Sequence, residues 1–392
     1  MKLLQGSRQS LYLNKPMTIP FNKPWTSGKS FENIRQAINN GHLSGNGPYT
    51  HKCHDYFKHR YELNSCFLTT SCTDSLEMAA MLVGIKPCDE VIIPSFTFVS
   101  TALAFERQGA LIRFADSRPD HPGIDENLIE PLINKRTRAI VPVHYSGIAC
   151  DMDKIMALSG KYDLFVIEDN AHGIESFYRD KPLGSIGHFG CYSFHETKNI
   201  QCGEGGMLAV NDNRFRDRAE IVWEKGTNRA QFFRGESSYY EWKDTGSSFL
   251  LSDINAALLH AQMEEINVIQ EKRVTLWHRY NNGFKELDKK GYIKVPVIPE
   301  YSTLNGNSFY LVCRDRPERD GLISYLRDFG IMALSHYLPL HRSEYYSGKH
   351  DGRTLEMSVK YSETLVRFPL YHELTMEQVD EIVDRSSHFL CK

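Results

Sequence analysis

The sequence predicts an α/β fold: a large domain on a mainly parallel sheet, followed by a smaller C-terminal α+β domain. Three observations carry this expectation. The chain has 392 residues, room for two domains at about 150 residues each. From about residue 65, short β-rich runs alternate regularly with helical patterns, the mark of strand–helix–strand units. These runs are also apolar almost throughout, as strands buried on both faces are.

In order, VIIP (91–94), LIRFA (111–115), RAIVPVH (138–144), LFVIED (164–169), GCYSF (190–194) and MLAV (207–210) read as strands, with helices expected over 74–83, 97–108, 126–133 and 151–159. Beyond Asn211 come a helix over 213–224, a polar aromatic stretch over 225–248 and a long helical pattern over 252–287 that would close the large domain. The remainder offers strands over 292–298 and 308–314 and helices over 319–329 and 375–389. The expected division is a flexible N-terminal extension (1–17), a large domain (18–275) and a small domain (276–392). In such sheets ligands bind where loops leave the C-terminal strand ends, so the chemistry should gather there.

Lysine and arginine number 46 against 49 aspartates and glutamates, a formal net charge of −3, with 41% hydrophobic and 24% charged residues. That balance argues against disorder and against binding nucleic acid through bulk positive charge. The uncharged run over 91–105 is too short and too rich in serine and threonine for a membrane span. No apolar stretch with a small-residue cleavage site opens the chain, so a cytoplasmic protein is expected. Nine cysteines without a C-x-x-C pair suit a reducing compartment.

Three segments bear residues suited to chemistry. In SFHETK followed by GEGG, Lys198 lies just past a strand end among glycines, where desolvation would lower its pKa and free the amine to attack a carbonyl. A lone lysine at such a place is more often solvated. In LFVIEDNAH, Asp169 ends an apolar strand and can hold a buried heteroaromatic nitrogen protonated, or merely cap the next turn. His172 can lie beneath a ring or be an ordinary core histidine. In TTSCTDSLEMAA, amides at a helix start and the hydroxyls of Ser71 and Thr73 can form a phosphate cup, although capping is the commoner fate. Asp74 should point away from such a cup.

Other patterns are weaker. A G-x-G-x-x-G fingerprint and a Walker-A lysine are both missing. His51, Cys53 and His54 are ligand types without zinc spacing, and no metal is expected.

The ordered set SCT, PSFTFVST, VIEDNAH, SFHETK with GEGG, and HYLPLH resembles the sugar aminotransferase family (DegT/DnrJ/StrS type) of fold-type I pyridoxal phosphate enzymes. Within it, SCTDSLEMAA, HYSGIACDMD, SFHETKN, EKGTNRAQFFRG and GSSFLLSD are similar to the branch that makes dTDP-4-amino-4,6-dideoxygalactose for bacterial envelope polysaccharides. The resemblance implies pyridoxal 5′-phosphate as cofactor and Lys198 as its Schiff-base lysine and proton-moving base. It further implies Asp169 at the pyridinium nitrogen, Phe98 stacked on the ring and His172 at the phenolic oxygen. Thr73, Asp74 and Ser193 would hold the phosphate. Relatives present an asparagine in G-x-N-x-R to the neighbouring subunit's phosphate, where this chain has Ser248. Either Ser248 makes a shorter contact, or Asn228 and Arg229 compensate. His336, Tyr337, His341 and Arg229 are the candidates for substrate contacts.

The implied reaction moves an amino group from L-glutamate to a dTDP-keto-6-deoxy sugar, dTDP-4-keto-6-deoxyglucose above others, in a homodimer with shared sites. Alternatives are amination at the 3-keto position, a pyridoxamine-dependent dehydratase and a non-catalytic cofactor-binding homologue. Dehydratase relatives replace the lysine by histidine, and a non-catalytic homologue would usually lose part of the set Lys198, Asp169 and Ser193. Neither nucleic acid nor membrane is an expected partner.

Overall fold

The protein is described here by a computed structural model covering residues 18–392; the extension expected over 1–17 lies outside the described residues. Two helices that the periodicity does not foresee come first, α1 (Gly28–Asn39) and α2 (Pro48–Tyr61). Pro48 suits the first turn of α2, where its missing N–H is not needed. The Tyr49 and Thr50 amides donate to the buried Asp253 carboxylate at 3.1 and 2.8 Å, pinning that turn to the main body.

The large sheet is built from β1 (Ser65–Thr69), β2 (Glu90–Pro94), β3 (Leu111–Ala115), β4 (Thr137–Ile140) and β5 (Phe165–Asp169). After a small ribbon, β6 (Phe177–Tyr178) with β7 (Lys181–Pro182), it is completed by β8 (Phe189–Ser193) and β9 (Gly206–Val210). Its seven strands run in the order β1-β9-β8-β5-β4-β2-β3. The pairings from β3 through β8 are parallel, while β9 is antiparallel to both neighbours.

Between the strands lie α3 (Cys72–Leu82), α4 (Ser100–Glu106) and α5 (Met152–Tyr162), and after them α6 (Arg216–Trp223), α7 (Arg229–Phe233) and α8 (Asp253–Glu264). Both faces are covered, and the two-residue strand period shows it: Val91 and Ile93 pack with α3, α4 and α6, whereas Ile92 faces the α5 side. Met207 and Ala209 pack toward α2 and α8, and Leu208 toward the opposite face.

The C-terminal part contains α9 (Ile266–Lys289), β10 (Phe309–Val312), α10 (Arg316–Asp328), β11 (Leu334–Ser335), α11 (Glu356–Thr364), β12 (Leu365–Phe368) and α12 (Met376–Leu390). Its antiparallel sheet has the order β10-β12-β11. Tyr280 and Phe284 of α9 stack on Phe309 with ring centroids 5.0 and 5.9 Å apart. Position 275 falls within α9.

Several expected elements differ. The helix over 126–133 is two short 3₁₀ turns, because Pro131 cannot donate the bond a continuous helix needs. The strand over 138–144 stops at Ile140, ahead of Pro142. The strand over 292–298 is reduced to a single bridge between Lys294 and Val312. The long helix breaks at Glu265, whose φ of −114° and ψ of 10° separate α8 from α9.

Gly206 opens β9 directly against the turn into α3. A Cβ there would stand 2.3 Å from the Ser71 carbonyl carbon and 2.5 Å from the Cys72 nitrogen, both backbone atoms. Gly206→Ala should therefore destabilise the protein by roughly 1–3 kcal/mol or more. A urea midpoint unchanged from wild type would show that the turn yields freely.

Candidate active site

The C-terminal ends of β1, β2, β5 and β8 and the start of β9 meet around one cavity of about 670 Å³. Ser71 caps α3 at its rim, its Oγ accepting from the Asp74 amide at 3.1 Å. The neighbouring Thr73 Oγ1 lies 2.7 Å from Ser100 Oγ, and Ser193 joins them in the lining. A helix start with clustered hydroxyls favours an anion. The Asp74 carboxylate turns back to accept from the Thr70 hydroxyl and, at 2.9 Å, from Ser71 Oγ, so it stays out of the cavity as the sequence suggests.

Lys198 follows a turn after β8 and is half-buried in the cavity wall, where loss of water lowers its pKa from 10.5 to about 8. Its amine makes no hydrogen bond or ion pair among the described residues. Asp169, at the end of β5, accepts from Thr101 Oγ1 at 2.7 Å and from the Ala171 amide at 3.2 Å. Thr97 Oγ1 stands 2.8 Å from Thr101 Oγ1 and supplies the hydrogen there, since Thr101 has given its own to Asp169. Burial raises the Asp169 pKa, and these donors oppose the rise.

His172 receives the Ser146 amide at Nδ1 (3.1 Å), which places its proton on Nε2. Burial holds its pKa well below the ordinary value, so the ring is neutral. Phe98, His336 and Tyr337 also line the cavity. His336 and Tyr337 stack at 3.5 Å, and His336 Nδ1 is 2.9 Å from the Tyr145 hydroxyl.

Besides Asp74, four expected site residues are not brought into this cavity. Asn228 is buried, with Nδ2 donating to Ser237 Oγ (3.0 Å) and to the Tyr239 carbonyl (2.9 Å) and Oδ1 accepting from the Glu241 amide (2.8 Å). It is consumed in holding its own loop. Arg229 pairs with Glu224 at 3.1 Å and lies over Phe233. His341 is a core histidine whose Nδ1 is 2.7 Å from Ser95 Oγ, and burial lowers its pKa to about 4. Ser248 is exposed, bridged to Glu224 outside the cavity of its own chain.

Of the ligand-type trio, His54 accepts the Leu68 amide at 2.9 Å and Cys53 donates to the Ala256 carbonyl, which ties both into the fold. The lining also holds Phe21, Asn22, Tyr145, Asn307, Ser308 and Arg367, none of which the sequence reading singles out. For Arg367 a signal exists: in LVRFP it alternates with Val366 and Phe368, which belong to the small-domain core.

A half-buried free amine and a buried carboxylate in one cavity wall, a neutral imidazole donor and a hydroxyl-lined helix start fit one cofactor, pyridoxal phosphate, so fold and site define a fold-type I aminotransferase. Residues 26–386 match the model of the DegT/DnrJ/EryC1/StrS aminotransferase family. The chain belongs to that family and is a pyridoxal-phosphate-dependent sugar-nucleotide aminotransferase.

It is similar to the spore coat polysaccharide biosynthesis protein SpsC of Bacillus subtilis, 29% identical over 375 residues, or 93% of this chain and 95% of that protein. Among solved structures it resembles DesV of S. venezuelae at 26% identity and a TM-score of 0.86, covering 96% of this chain and 100% of that one. NtdA of Bacillus subtilis, solved with bound PMP, superposes with a TM-score of 0.86 at 24% identity, over 97% of this chain and 87% of that one.

The depressed Lys198 pKa sets a pH dependence. The amine is protonated and unreactive below it and free above it. Capture of added pyridoxal phosphate by cofactor-free protein should therefore rise with pH about a midpoint near 8, not near 10.5. Absorbance-detected rates that climb only above pH 10 would contradict the burial argument.

Proposed function

We propose that the protein transfers the amino group of L-glutamate to a dTDP-4-keto-6-deoxy sugar. The preferred acceptor is dTDP-4-keto-6-deoxyglucose, giving dTDP-4-amino-4,6-dideoxygalactose for envelope polysaccharide synthesis in the bacterial cytoplasm. The carrying observation is the Lys198 amine and the buried Asp169 carboxylate in the wall of one cavity at the strand ends. In this reading the start of α3 holds the cofactor phosphate through Thr73, with Ser193, and through the Asp74 amide in exchange for its bond to Ser71 Oγ. Phe98 covers the ring, Asp169 faces its nitrogen and His172 Nε2 donates to its phenolic oxygen.

Pyridoxal phosphate, when bound, supplies the electron sink. Lys198 Nζ takes the proton from the donor's α-carbon and, in the second half-reaction, returns one to the aminated sugar carbon. The polysaccharide role named for SpsC supports the pathway class.

A sugar nucleotide also needs a seat for its diphosphate. A second cavity of about 470 Å³ behind His336 and Tyr337, lined by Arg316, Arg319 and Arg342 together with Glu363, lies next to the site, its arginines paired with Asp320 and Glu363. The reading further takes the enzyme as a homodimer in which Ser248 reaches the partner's phosphate.

Two measurements test it. Glutamate supplied with 4-keto and 3-keto dTDP-sugars should give a 4-amino product by NMR; a 3-amino product alone would overturn the preferred acceptor. Lys198→Ala should lower turnover by at least roughly 10²-fold, the scale of a positioned proton transfer. Turnover at the wild-type rate would remove Lys198 from the mechanism.

A further inference from the structure

Asp169 can hold a ring nitrogen protonated only while its own carboxyl stays ionised, and burial works against that. The answer comes from a single turn of chain. Thr97 and Thr101 stand four residues apart where the chain enters α4, and both are buried, Thr101 completely. A threonine in a helix ordinarily turns its hydroxyl back to the carbonyl three or four residues earlier. Thr101 instead donates to Asp169 Oδ2 at 2.7 Å, and Thr97 Oγ1 lies 2.8 Å behind Thr101 Oγ1. The other carboxylate oxygen takes the Ala171 amide at 3.2 Å, a longer bond.

The two hydroxyls form a chain of fixed polarity. An ionised carboxylate only accepts, so Thr101 gives it a hydrogen and has none left for Thr97, which must then give its own. Each bond in such a chain polarises the next. The titratable groups that face Asp169 from other elements are Lys198, His144, Cys72, Cys191 and Tyr337. Burial keeps both thiols and the phenol neutral, His144 is engaged with Glu168, and Lys198 is committed to the reacting centre. Thr101 does not line the cavity, so its hydroxyl can act on a bound cofactor only through Asp169.

We propose that Thr101, backed by Thr97, is a positioning residue that keeps the proton shared between Asp169 and the cofactor on the ring nitrogen rather than on the carboxylate. The proposal rests on the aminotransferase reading above, in which Asp169 faces that nitrogen, and deepens it. Without the threonine donor the carboxylate becomes more basic. The N–H bond then breaks, an O–H bond forms on Asp169, both partners become neutral, and the ring is a poorer electron sink.

The test uses holoenzyme reconstituted with pyridoxal phosphate carrying nitrogen-15 in the ring, whose NMR shift reports the balance between the protonated and the neutral nitrogen. Wild type, T101V, T101S, T97V and T97S are compared at one pH. Wild type should show a protonated nitrogen. T101V should move the balance about 10- to 100-fold toward the carboxylate, as loss of a hydrogen bond to a charged group implies. T97V should move it the same way by less, and the two serine variants, which keep the hydroxyl, should stay with wild type.

A T101V nitrogen shift equal to that of wild type, or a wild-type nitrogen that is already neutral, overturns the proposal. Threonines that merely braced α4 would give that first result, with a lowered thermal midpoint in the valine variants. A T97V shift equal to that of wild type removes the chain and overturns the proposal as well. If T101V does not fold or does not hold the cofactor, T97V decides by the same readout. The measurement needs neither glutamate nor a dTDP-sugar, so its failure is distinct from a failure of the proposed substrates.

Discussion

Lys198 brings an amine and Asp169 a carboxylate into one interior, and burial pushes their proton affinities in opposite directions, the amine down to about 8 and the carboxyl up. The shift of Lys198 from 10.5 corresponds to about 3 kcal/mol against its charged form. In the cofactor-free protein that cost is fully present below pH 8. It fades between about 8 and 10.5, where the unfolded chain binds the extra proton and stability rises with pH. Much of the surrounding structure keeps this arrangement in place. Directly behind Asp169, the buried Glu168 accepts the Gly184, Ile186 and Gly187 amides at 2.8, 2.8 and 2.6 Å and meets His144 Nε2 at 2.9 Å. Four donors on one carboxylate fix the end of β5, and so the position of its neighbour.

The lysine loop is held from the other side by a network of side-chain amides. Asn199, next to Lys198, donates to the Asn305 carbonyl at 2.9 Å and to Gln270 at 3.0 Å, and accepts from Asn307 at 2.9 Å. Asn305 in turn donates to the carbonyls of His172 and Ile174 at 2.7 and 2.8 Å. Arg273 of α9 closes the knot on the carbonyls of Gly306 and Asn307, and burial without a carboxylate lowers its pKa to about 10. The segment that leads into β10 is therefore bonded both to the residue after Lys198 and to the turn that carries His172. Movement of the small sheet relative to the large one would be felt at both.

Residues at the ends of long apolar strands are legible in the sequence because strand, turn and chemistry are contiguous there. Asp169, His172, Ser193, Lys198 and Phe98 all fall in this group, and the structure gathers them around one cavity. Asn228 and His341 have equally suitable chemistry but spend it locally, on the 237–241 backbone and on Ser95, and residue type does not reveal which partner a buried amide or imidazole finds. Arg367 fails for the opposite reason. Its strand has four residues and emerges directly from α11, too short for a period-two pattern to stand out, although Val366 and Phe368 on the core face leave Arg367 only the face toward the site. α1 is missed because it buries only Ser30 and Ala37, and α2 because its buried stripe, Tyr49, Cys53, Phe57 and Tyr61, is set among lysines and histidines and contains no aliphatic residue.

Ser146 shows how local strain is put to use in this site. It is a non-glycine residue with φ of 59°, a left-handed conformation that costs on the order of 1 kcal/mol and persists only when its surroundings hold it. They do: the Ser146 hydroxyl donates to the Ser308 carbonyl at 2.9 Å, just before β10. The amide so oriented donates to His172 Nδ1. Relaxing Ser146 would free that nitrogen to hold the proton and leave Nε2 an acceptor, the wrong polarity for a partner that carries negative charge. The imidazole's donor face therefore depends on a serine that the small domain keeps strained, which makes contact between the domains a condition for the chemical character of the site.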